Sequence, residues 1–121
     1  MAMVPPVFAL LSASAAVTAL VPAVRIMGQG YGGESPVLPY ITWQTISGLP
    51  GSYVEGRPGI DSFRAQIDVW SSTAAQAKQI AALVRDALEL EAQCVGILGD
   101  DYEPDTKLHR YSFDWAFQTS R

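Results

Sequence analysis

One cysteine, one histidine and eight lysines and arginines among 121 residues leave little reactive chemistry to assign. Cys94 has no partner for an intrachain disulfide, so the stapled secreted class finds no support. Beside Val95 and three residues before Ile97, it reads as a small buried hydrophobe. One His and one Cys are too few for zinc. No nucleophile-elbow glycine pattern is present, so His109 has no poised nucleophile to serve and is expected to be packed or at the surface. Basic runs are missing too. The cations are scattered from Arg25 to Arg121 and the net charge is −4, which argues against a grip on DNA or RNA.

Charge is absent altogether from residues 1–24. A signal peptide needs a basic start, yet Pro5-Pro6 stands there, and Ser12, Ser14, Thr18 and Pro22 interrupt the apolar stretch. The expectation is a core-packing helix, not a leader or a membrane span. Glycines 28, 30, 32 and 33 miss dinucleotide-binding spacing and lead to Pro36 instead of a helix, so no phosphate cradle is expected. Asp100, Asp101, Glu103 and Asp105 lack the glycine and distal Glu of a calcium loop, and read as a solvated acidic turn. No catalytic, cofactor or metal residues follow from the sequence.

What the chain does have is alternation. From 109 to 117 the odd positions are His, Tyr, Phe, Trp and Phe, and the even ones Arg, Ser, Asp and Ala. Period two means a strand with one aromatic and one wet face. Residues 60–70 alternate likewise, with Phe63, Ala65, Ile67 and Val69 opposite Arg64, Gln66, Asp68 and Trp70. Residues 40–47 are β-branched and aromatic, hence a strand, and 24–27 form a short one. Thr73-Ala74-Ala75-Gln76 is a capping-box pattern opening a helix with an apolar stripe of Ala77, Ile80, Leu83, Val84, Ala87 and Leu88. Pro5-Pro6 suits a helix start, with one helix or two short ones to Leu20. Residues 93–98 read as a short strand before the acidic turn.

The reading is one α+β domain over residues 1–121, in the order α-β-β-β-α-β-β. The middle and last strand pairs are antiparallel, and two helices cover one face of a mostly antiparallel sheet. An apolar fraction of 49% against 17% charge leaves apolar area outside, suiting burial against copies or partners. Candidate interface residues come from two places. Residues 48–59 are a long connection carrying Tyr53, Glu55 and Arg57, and long unstructured loops are usually functional. The wet sheet face carries Arg64, Asp68, Arg110 and Asp114, which could pair within the sheet or between subunits.

The ordered set of segments resembles the tail completion proteins of long-tailed bacteriophages, the lambda-like tail terminators or tail-to-head joining proteins. The carrying segments are Arg25-Ile26 after an Ala-rich helix, Leu38-Pro39-Tyr40-Ile41 through Ile46-Ser47-Gly48, and Arg64-Ala65-Gln66-Ile67-Asp68-Val69-Trp70. They continue with Ala77 and Val84-Arg85-Asp86-Ala87-Leu88, Asp101-Tyr102-Glu103-Pro104-Asp105-Thr106 and Leu108-His109-Arg110-Tyr111-Ser112-Phe113-Asp114-Trp115. The resemblance implies a non-enzymatic virion protein, assembled in the host bacterial cytoplasm into a ring of six copies. Its partners would be itself, the tail tube protein and a head-completion or connector protein, with no membrane. DNA would pass through the channel without being held. A head-side neck protein and a small ligand-binding α+β domain remain the alternatives.

Overall fold

The prolines and serines of the N-terminal segment decide how its helical part is cut. In the computed structural model, which describes residues 4–28, 37–49 and 60–120 (without the side chains of 48, 49, 60, 61, 119 and 120), Pro6 precedes helix α1, Val7–Ser12. The Ser14 hydroxyl then accepts a hydrogen bond from the Val17 N–H, starting a second helix, α2, Ala15–Leu20. Two short helices therefore stand where one or two were expected. They bury Val7, Leu11 and Val17. Pro22 ends the segment, and a 3-10 turn at Ala23–Arg25 leads into strand β1, Ile26–Met27. No helix among the described residues is long and apolar enough to cross a membrane.

Four longer strands follow: β2, Tyr40–Leu49; β3, Ile60–Ser71; β4, Ala92–Glu103; and β5, Leu108–Ser120. Helix α3, Ala74–Leu88, joins β3 to β4. The sheet order is β1-β2-β3-β5-β4, antiparallel except for β1, which runs parallel to β2. The α+β reading, the two antiparallel pairs and the helix-covered face all hold. The insertion of β5 between β3 and β4 is the feature local pattern did not carry.

Alternation sorts side chains as expected. Across the β3–β5 ladder Ala65 pairs with Trp115 and Ile67 with Phe113, and these four, Val69 and Phe117 are all at 3% exposure or less. The rings of Tyr111, Phe113 and Trp115 form an edge-to-face series, with Phe113–Trp115 centroids 5.5 Å apart. Ile80, Val84 and Leu88 of α3 press on this layer together with Leu11 and Val17. Gly28, just past β1, lies so close to Trp43 that a Cβ there would sit 3.1 Å from the indole. The close approach selects glycine.

The start of α3 differs from a simple capping box. Thr73 accepts from the Gln76 N–H at 3.2 Å, but the Gln76 side chain accepts from the Ser71 hydroxyl, which in turn accepts from the Thr73 N–H. Buried Ser71 thus completes the cap from the end of β3.

Two expectations on β4 are corrected. It is one strand running through Asp100, Asp101 and Glu103 and not a short strand followed by an acidic turn. Register shifts between Cys94 and Gly96 and between Ile97 and Gly99 break its period-two pattern. The turn comes later, at 104–107, with Lys107 in the left-handed region at φ 59°. Cys94 is exposed, because the helices do not extend over this edge strand.

A polar ladder on the open sheet face

The register aligns the side chains of the uncovered face into rows across four strands. One row runs Tyr40, Trp70, Arg110, Asp101, one residue from each of β2, β3, β5 and β4. Tyr40 stacks on Trp70 with centroids 5.8 Å apart and planes 15° from parallel. The Arg110 guanidinium lies 5.5 Å over the Trp70 ring and bonds Asp101 at 3.1 Å, with Glu103 at 4.0 Å. The next row is Thr42, Asp68, Ser112 and Gly99, tied to the first where the Trp70 indole N–H donates to the Thr42 hydroxyl at 3.1 Å. The third is Gln44, Gln66, Asp114 and Gly96, and Gln66 donates to Asp68 at 3.2 Å.

The expected residues separate in role. Arg64 and Asp114 form an ion pair, with the Asp114 side chain 5% exposed and that of Arg64 51% exposed. Arg110 pairs with Asp101 and Glu103 on β4, not with Asp68. So the charge pairing runs within the sheet, and Asp114 acts by holding Arg64 in place. Tyr53, Glu55 and Arg57 lie outside the described residues. Tyr40, Thr42 and Asp101 belong to the same ladder and were missed; the alternation Tyr40, Thr42, Gln44 carried the signal, but only register shows what they meet. The acidic set is divided likewise. Asp100 pairs with Lys78 of α3 at 3.0 Å on the helix side, while Asp101 lies on the open side. His109 packs against Tyr102, with ring centroids 4.9 Å apart. Among the described residues no three His, Cys, Asp or Glu side chains converge on a metal-sized site.

This face is built to be held in shape, and it offers surface instead of reactive groups. A family model for tail completion protein gp17 matches residues 5–119. The chain belongs to the tail completion protein gp17 family. It is thereby a structural protein of phage tails. In structure this tail completion protein is similar to a chain of the virion of the native gene transfer agent particle, at TM-score 0.62 and 18% identity over 95% of this chain and 92% of that one. It is also similar to the bacteriophage SPP1 gp17 protein, at TM-score 0.56 and 16% identity over 92% and 84%. At those identities the likeness is one of fold. A search of curated protein sequences gives no match.

The ladder makes two predictions. Arg64→Met leaves a buried carboxylate without its partner, whereas Asp114→Asn leaves a half-exposed guanidinium that water can solvate. Urea denaturation should therefore show Arg64→Met losing about 2–4 kcal/mol and Asp114→Asn about half that. Equal losses would mean the burial of Asp114 carries no energetic weight. The second concerns Tyr40, whose pKa burial raises first and nearby Glu103 second, above the ordinary 10.0. A raised folded-state value stabilises the neutral phenol, so its contribution is intact below about pH 10 and is lost as pH climbs through the folded value. Urea midpoints should fall more steeply above pH 10 in the wild type than in Tyr40→Phe, and identical slopes would remove Tyr40 as the cause.

Proposed function

We propose that this protein is the ring that finishes a phage tail: six copies at the head-proximal end of the tail tube, stopping tube polymerisation and presenting the docking surface for the head. The carrying observation is the family match along residues 5–119. The fold supports it: a sheet with one helix-covered face and one polar face, ending among the described residues in β1 at one edge and β4 at the other. The proposed partners are further copies of the chain, the tail tube protein and a head-completion or connector protein. The particle's neck is its proposed place, reached after assembly in the host cytoplasm.

In this reading the polar face, with Arg64, Asp68, Arg110 and the buried support of Asp114, meets a neighbouring subunit or the tube. Tyr53, Glu55 and Arg57 are assigned to the same kind of contact. DNA would cross the ring without sticking, since a copy carries −4 and acidic walls repel phosphate.

Polymerising the cognate tail tube protein with and without this protein tests the reading. Electron micrographs should show that a modest molar amount arrests growth and that added protein sits at one tube end. Tube lengths unchanged at a molar excess, with no density at either end, would overturn it.

A further inference from the structure

On the open sheet face, among the described residues, one carboxylate has no cation. The face carries Asp68, Asp101, Glu103 and Asp114 against Arg64 and Arg110. Arg64 is taken by Asp114, and Arg110 by Asp101 and Glu103. Asp68 receives the neutral Gln66 amide instead, at 3.2 and 3.3 Å. It stands on β3, the middle strand of the sheet, with Thr42 and Ser112 directly opposite on either side. Residues opposite one another across a ladder share a face, so Ser112 lies beside Asp68 on the open side. Ser112 and Asp114 are each 3% exposed. Neither the Ser112 hydroxyl nor Asp114 Oδ1 has a hydrogen-bond partner among the described residues. The centre of the face is therefore rich in oxygen acceptors and short of a cation.

The same chain holds a cation with no carboxylate. The described residues contain Arg25, Arg64, Lys78, Arg85, Lys107 and Arg110. Arg64, Lys78, Arg85 and Arg110 pair with carboxylates of their own chain, and Arg25 donates to the Leu38 carbonyl at 3.4 Å. Lys107 makes no ion pair among the described residues. It is exposed in the turn at 104–107, beyond Glu103 and Leu108, the last paired residues of β4 and β5, and so stands at a hairpin tip. Ser112, which marks the level of Asp68, is five residues further along β5, about 16 Å of extended strand, so the two charges cannot meet within one chain. A hairpin tip against a sheet face is a heterologous contact, the kind that generates rings or open chains. We propose that the Lys107 ammonium at the β4–β5 tip of one copy bonds the Asp68 carboxylate on the open face of a second copy, and that this contact forms between free copies in solution. The proposal rests on the ring reading above and names a charge pair that sets neighbouring copies against each other. Asp105 shares the turn, so a tip without Lys107 is acidic and is repelled by the face.

Charge reversal tests it. Asp68→Lys and Lys107→Glu each set like charges against each other at every contact. Sedimentation velocity over a concentration series should show the wild type associating and each variant alone weakened by about tenfold or more. Mixed one to one, each variant meets the opposite charge on the other at both of its surfaces, so the mixture should recover association. A chain carrying both substitutions should recover it as well. Both positions lie on the surface of the free chain, so melting temperatures should stay near the wild type. Asp68→Asn, close to the original in shape, should weaken association in the same direction and covers the case in which Asp68→Lys misfolds. Folded variants that associate like the wild type, or that stay apart on mixing, would overturn the pair and leave tube capping by the wild type unaffected. A wild type that stays monomeric at every concentration would overturn the contact between free copies. Loss of capping by the wild type itself would instead remove the ring reading.

Discussion

The structure hangs on one antiparallel ladder, β3 against β5. It pairs every residue from Ile60 with Ser120 to Ser71 with His109 with no register shift, while β2–β3 has one shift and β4–β5 has two. One side of this ladder supplies Ile67, Val69, Phe113, Trp115 and Phe117, the layer on which α3 and the N-terminal helices rest. The other side supplies Trp70, Arg110, Arg64 and Asp114, the centre of the polar rows. A one-residue slip would exchange the two faces, setting Asp114 and Arg64 against Leu88 and Val84. Period-two aromatics on one strand and β-branched residues on the other make that slip prohibitively costly.

That dependence explains what the sequence made legible. The alternation of residues 109–117 and 63–69 is a local property of side chains that bury on one face, so both strands and their faces could be read directly. The α3 stripe was readable for the same reason, since Ala77, Ile80, Val84 and Leu88 must all meet the sheet. β4 was not readable as one strand. Its two register shifts break the period, and Asp100 and Asp101 look like turn residues until Lys78 and Arg110 are known to wait on opposite faces. The exposure of Cys94 and Ile97 follows from how far the helix layer reaches, and that is set by the tertiary arrangement. The burial of Asp114 is likewise non-local, because Arg64 stands fifty residues away in sequence.

The apolar interior is well packed and the β4 border is open. Aromatic packing, the Ser71–Thr73–Gln76 cap and the Tyr40–Trp70–Arg110–Asp101 row fix the sheet's shape without any partner. Among the described residues β4 has one strand neighbour, β5, and apolar side chains facing water. Such a strand should open locally at a free energy below that of global unfolding. A part whose centre is rigid and whose edge strand β4 is open suits a structural component of a tail.

Native-state hydrogen exchange on the free protein, followed residue by residue, examines this division most directly. The account predicts that amides of β3 and β5 in the paired stretch exchange only through global unfolding, and that those of β4 exchange far faster through local opening. Amides of β4 as slow as those of β3 in the free monomer would contradict it.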